Sequence, residues 1–218
     1  MFNYIEQTFV NLKFKMLDLF RTIKADKEIK TSAKNVIDVT LSNTLSPERT
    51  KLDASDNVKE IYIMDIHLNT SEVPTKFIEA LNKFINFQIL FRLHFNYEIK
   101  YVISLKVFQE EKIKVLKTFE SEWQEPFKQE LPLTTKLENV YKLIVKNVAG
   151  YAFCQNETFE QYADRMTAIK KQKADIEKLI KMRDAERQPN KKIELNDKVR
   201  QMKKDLQRLE SQLFRNSE

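Results

Sequence analysis

Residues 157–214 carry a repeating pattern whose steps alternate between four and three. Leu195, Val199, Met202, Leu206, Leu209 and Leu213 form one seam, and Phe159, Tyr162, Met166, Ile169, Lys173, Ile176 and Ile180 hold the same register upstream. This is the spacing with which paired helices bury a stripe against each other. Pro189 stands between the two runs, where a continuous helix would lose a hydrogen bond and clash with its preceding turn. The pattern predicts two antiparallel helices, over 157–185 and 189–214, closed into a hairpin.

Upstream the periods change. Ile5, Phe9, Leu12, Met16, Leu19 and Ile23 lie at helical spacing and predict an amphipathic helix over 5–23, followed at 24–34 by a polar linker or frayed helix end. Val36, Ile37, Val39 and Leu41 make a short β-compatible patch, and Ser46-Pro47-Glu48 reads as a cap with proline in the first turn of a short helix. Residues 58–68, VKEIYIMDIHL, form the clearest strand, placed centrally in a sheet, and 71–85 follow as a helix with Phe77, Leu81, Phe84 and Ile85 on one side. Strands are expected at 87–95, 97–107 and 113–119, the first two joined by a tight turn at Asn96. A helix at 136–149, capped by Thr135, ends at Gly150, suited to a left-handed cap. The expected fold is α+β, a largely antiparallel sheet with helices on one face, followed by the helical hairpin. Its divisions are an N-terminal helix and linker (1–34), the α+β domain (35–155) and the hairpin (156–218).

Composition narrows the function. The chain of 218 residues holds one glycine, so the glycine-rich loops that cradle phosphates are excluded. One cysteine, Cys154, and two separated histidines offer neither an internal disulfide nor zinc-ligand spacing. No cofactor or metal is expected. No apolar run is long enough to span a bilayer and the N-terminus has no export pattern, so a cytoplasmic protein without membrane association is expected. The formal charge of +6 suits a polyanion. Its signs are interspersed, as in Lys203-Lys204-Asp205, so a solvated helical face and a nucleic-acid surface are both compatible with it.

Three places hold candidate chemistry. Gln188, Asn190, Lys192 and Asn196 crowd the predicted hairpin turn; they form either a helix cap or a recognition tip for a partner or nucleic acid. Glu98-Ile99-Lys100 on one strand and Asp65 on another have the residue types of a metal-dependent nuclease, in which carboxylates hold Mg²⁺ and lysine helps activate water. An outward polar strand face explains them equally. Glu60 and Lys106 are expected to pair as ions between strands rather than perform chemistry. His67 and His94, in apolar strands, read as hydrogen-bonded structural histidines, and Cys154 as a packed thiol.

Three blocks carry a family resemblance. They are Leu45-Ser46-Pro47 with Thr50, Leu52 and Val58-Lys59-Glu60-Ile61; the stretch 77–93 followed by Val102 to Lys106; and Glu186-Arg187-Gln188-Pro189-Asn190-Lys191-Lys192-Ile193-Glu194-Leu195-Asn196. Together they resemble the bacterial family known as domain of unknown function 4391. Pro189 departs from the bulky residue expected there and makes the bend firmer. The resemblance implies no activity; it implies the company of helicases and DNA methyltransferases in restriction-type or antiphage clusters. The expectation is a non-enzymatic accessory protein docking on a helicase or methyltransferase, with the nuclease (Asp65, Glu98, Lys100) and a direct nucleic-acid-binding module as alternatives.

Overall fold

The first strand of the main sheet lies where the stripe predicted a helix. In the computed structural model, which describes residues 2–3, 6–109, 112–126, 129–130 and 133–211, β1 (Phe2–Asn3) is followed by a 3₁₀ turn and then β2 (Phe9–Phe14). Next come α1 (Met16–Thr22), α2 (Lys27–Ser32), β3 (Val36–Leu45), α3 (Pro47–Thr50), β4 (Ile61–Leu68) and α4 (Thr75–Phe84). β5 (Gln88–Phe95), β6 (Glu98–Gln109), β7 (Lys112–Glu120), β8 (Gln129–Glu130) and α5 (Leu137–Ala149) complete one compact unit, Met1–Gly150. A second, Tyr151–Glu218, holds α6 (Phe159–Ala185) and α7 (Pro189–Ser211).

Six strands form one sheet in the order β2-β3-β4-β5-β6-β7, and β1 pairs with β8 in a separate two-stranded ribbon. Every neighbour in the main sheet is antiparallel except β4 and β5, which run parallel. A parallel pair needs a crossover, and α4 supplies it. Tyr62, Met64, Ile66 and Leu68 of β4 and Ile89, Phe91 and Leu93 of β5 join Phe77, Ile78 and Leu81 of α4, with Leu19 of α1, in one apolar core. α5 buries Leu137, Val140, Tyr141, Ile144, Val145 and Val148 outside that core, running against β6 and β7. The α+β class and the C-terminal hairpin are as the sequence implies.

Two corrections concern the N-terminal third. The predicted helix over 5–23 is replaced by β2 and the shorter α1, with Ile5 outside the described residues. Asn11 takes a positive φ of 52° at an irregularity in β2, which then pairs with β3 as a sheet edge. Phe9 and Leu12 face solvent in this edge strand instead of continuing a helical stripe. The predicted linker holds α2, capped by Asp26, whose carboxylate accepts from the Ile29 amide at 2.9 Å.

Lys106 brings a third correction. It is fully buried, and its ammonium donates to the carbonyls of Asn82 (3.4 Å) and Ile85 (3.0 Å) at the end of α4. A cation there answers the unpaired carbonyls and the negative end of the helix dipole. The expected Glu60–Lys106 ion pair is absent among the described residues. Burial and the nearby Glu48 raise the Glu60 carboxyl, with Arg49 opposing them.

Candidate functional site

On the face of the sheet turned away from α4, the apolar alternation stops partway along β4 and β5. Ile61 and Ile63 give way to Asp65 and His67, and Leu90 gives way to Arg92 and His94. The parallel register sets Asp65 beside Arg92 and His67 beside His94. β3 contributes Asp38 opposite His67, together with Ser42, and β2 contributes Lys13 beside Thr40. Side chains two apart on a strand share a face, so D-x-H on β4 and R-x-H on β5 converge, and Tyr101 of β6 lies beside Arg92.

The bonds form two linked dyads. Asp65 accepts from Arg92 Nε at 2.6 Å and Nη2 at 2.5 Å, meets His94 Nε2 at 2.7 Å, and accepts from the Ser42 hydroxyl. Asp38 meets His67 Nδ1 at 2.8 Å and accepts from Lys13 Nζ at 3.0 Å. The two imidazoles stack with centroids 4.6 Å apart and planes at 23°. Exposure falls from 48% for the His67 side chain to 25% for His94, 19% for Arg92 and 14% for Asp65. The cluster is half-buried, with His67 at its open edge.

Electrostatics hold both carboxylates charged. Burial pushes the Asp65 carboxyl upward, but His94, Arg92 and Ser42 together outweigh it and hold it well below the usual range. Asp38 behaves alike: burial raises it, Lys13 and His67 lower it further, and the net direction is down. An ionised carboxylate on one ring nitrogen fixes a histidine's orientation and tautomer. The arrangement thus presents two oriented imidazoles, able to accept or donate protons, side by side.

The residues proposed for a nuclease are not brought together. Glu98 pairs with Phe95 and Lys100 with Leu93, so both lie on the α4 side of the sheet, across from Asp65. Lys100 Nζ sits 3.4 Å from Glu120, and the Asp65 oxygens are occupied as described. Among the described residues no group of three or more His, Cys, Asp or Glu is arranged to hold a metal ion.

The hairpin unit places the other candidates. Thr158 and Gln161 close a capping box at the start of α6. Just inside, Arg165 pairs with Glu157 (Nε–Oε1 2.7 Å), donates to the Ala152 carbonyl, and lies over the Tyr162 ring, which stacks on Phe153 at 3.9 Å. Antiparallel pairing is marked by Lys173–Glu210 (2.9 Å), Gln172 Nε2 to the Met202 carbonyl (2.9 Å) and Arg183 to Asn196 Oδ1 (3.3 Å). Met166, Ile169, Ile176 and Val199 are buried in the seam. Lys173 is a salt-bridging edge residue, and Leu213 and Phe214 fall outside the described residues.

At the turn, the Glu186 carboxylate accepts from the Arg187 and Gln188 amides, and the Gln188 carbonyl accepts from the Lys192 amide. Gln188, Asn190, Lys192 and Asn196 are all exposed, with Asn196 tied to Arg183. Cys154 is partly buried, its backbone amide bonded to Glu157, and burial raises its thiol.

No helix among the described residues is long and apolar enough to cross a membrane. A family model described as Domain of unknown function (DUF4391) matches residues 15–206. No curated protein and no solved structure matches the chain.

Proposed function

We propose, from the premise that the chain belongs to the family described as Domain of unknown function (DUF4391), that it acts as an accessory protein docking through its helical hairpin. The observation carrying this reading is that α6 and α7 satisfy their apolar seam against each other within one chain, while the turn residues Gln188, Asn190 and Lys192 stay exposed. A hairpin already closed on itself has no remaining need for the polar groups at its turn, and exposed loops on a rigid support are where recognition concentrates. The partner class is the one the family resemblance implies, a helicase or DNA methyltransferase of a restriction-type or antiphage system in the cytoplasm.

Tagged full-length protein, expressed in its native cell, is expected to retain such an enzyme, identified by mass spectrometry. Asn190→Ala with Lys192→Ala should weaken that retention severalfold with an unchanged melting temperature. Retention of the same enzyme by the double variant at wild-type strength would remove the turn from the interface.

A further inference from the structure

Outside the hairpin, and independent of it, the most chemically specific place in the molecule is the pair of carboxylate-anchored histidines. We propose that His67 and His94, with Arg92 and Lys13 behind their carboxylates, form a proton-linked binding site for a phosphate group, of the kind carried by a nucleic-acid backbone or a free phosphate.

Charge is the first argument. The groups facing the imidazoles are Lys13 from β2, Asp38 from β3, Asp65 from β4, Arg92 from β5 and Tyr101 from β6. Two cations and two carboxylates cancel, so the site is neutral while both rings are neutral. Two imidazolium ions stacked at 4.6 Å would repel each other, so the charge considered is that of a single added proton. One added proton gives a local charge of plus one, the complement of a phosphodiester monoanion.

Donor geometry is the second. Asp38 engages Nδ1 of His67 and Asp65 engages Nε2 of His94, so these bonds leave the opposite nitrogen of each ring, and the ring that takes the proton gains an N–H donor there. His67 is nearly half exposed while Asp65 and Arg92 are mostly buried, which gives one accessible donor on a firm base. Placement is the third. The cluster lies toward the carboxyl ends of β4 and β5, the parallel pair joined by the α4 crossover, and open sheets with such crossovers commonly bind ligands beyond those ends. A strand face that only needed solvation would not spend a bidentate arginine, two aspartates and two histidines in mutual bonds.

Titration calorimetry on the full chain tests this, with inorganic phosphate, sodium acetate and a short oligothymidylate as separate probes at about pH 6 and about pH 8, either side of the histidine range. Phosphate and oligothymidylate should bind at the lower pH and compete with each other, and the oligothymidylate, whose phosphodiesters keep one charge throughout, should weaken by up to about tenfold per pH unit as the linked proton is lost. His67→Gln, whose amide can still donate to Asp38, should weaken oligothymidylate binding at about pH 6 severalfold while melting like the wild type. Its exposed position makes it the safe variant, and His94→Gln tests the deeper ring. The proposal is overturned by oligothymidylate affinity that does not change with pH, by equal affinity in His67→Gln, or by acetate binding as well as phosphate. Oligothymidylate binding that phosphate cannot displace would also overturn it, because the nucleic acid would then be held elsewhere.

Discussion

Asp65 and Arg92 face each other across the parallel β4–β5 pair, with Nε 2.6 Å from one carboxylate oxygen and Nη2 2.5 Å from the other. A bidentate, mostly buried pair of this kind fixes the two strands in one register. Asp65→Asn removes the charge that compensates Arg92, keeping one acceptor oxygen, and is expected to cost about 2 kcal/mol, below the ~3–5 kcal/mol of a fully buried pair. Urea denaturation at neutral pH measures it.

The same carboxylate predicts an acid signature. Its folded-state pKa lies below the unfolded value of 3.8, so the unfolded chain takes up this proton first. The stabilisation is complete above that unfolded value and is lost as pH falls through the lower folded one. Wild-type stability should therefore decline more steeply below about pH 4 than that of Asp65→Asn. Parallel slopes in the two acid titrations would show that the charge is not coupled to folding.

Lys106 gives the opposite window. Burial lowers its ammonium from 10.5 to about 7, so between those values the unfolded chain holds a proton that the folded chain has released. The cost of burying the charge is full below the folded value and is shed as pH rises to the unfolded one. The melting temperature of the wild type relative to Lys106→Met should thus rise between about pH 7 and about pH 9.5. A constant difference would place the ammonium in water instead of at the end of α4.

In the second unit, Arg165 and Glu157 are almost wholly enclosed, with side-chain exposures of 6% and 8%. Arg165→Met strands the carboxylate and removes the tie to the Ala152 carbonyl; a loss of about 3 kcal/mol is expected. Hydrogen exchange should report it in the first turns of α6. Unchanged protection there would mean that aromatic stacking of Phe153 on Tyr162 alone anchors the helix.

The hairpin is expected to close within one chain. With Cys154 replaced by serine, cysteines at Gln172 and Met202 should be joined by a short bismaleimide as monomers on denaturing gels at low protein concentration. Mainly dimeric products would mean that α6 and α7 pair between chains.

The elements read correctly from the sequence were those whose apolar residues are dense and bounded by turn signals. β4, β5 and β6 are rich in Ile, Val, Leu, Phe and Tyr, Asn96 takes the positive φ of a tight turn, and Gly150 ends α5 at φ 79°. The N-terminal stripe failed because a strand and a helix placed end to end imitate one helical spacing. α2 was hidden by its polarity, and Asp26 was the one local sign of its start. At the site, His67 and His94 were read singly as structural histidines. Their signal lay in the matched pair Asp65-x-His67 and Arg92-x-His94, polar departures at the same offset in two strands. Recognising it required knowing that β4 and β5 are neighbours, and only the crossover through α4 makes them so.

A consequence for folding fidelity follows from the same alternation. Side chains on a strand change faces with every residue, so a slip of one position by β4 would drive Asp65 and His67 into the apolar layer that α4 covers and turn Ile66 and Leu68 toward the polar side chains of the opposite face. Two stripped polar groups in that layer would make each neighbouring misalignment far less stable than the native one. The residues that give the sheet a chemical face also proofread its alignment.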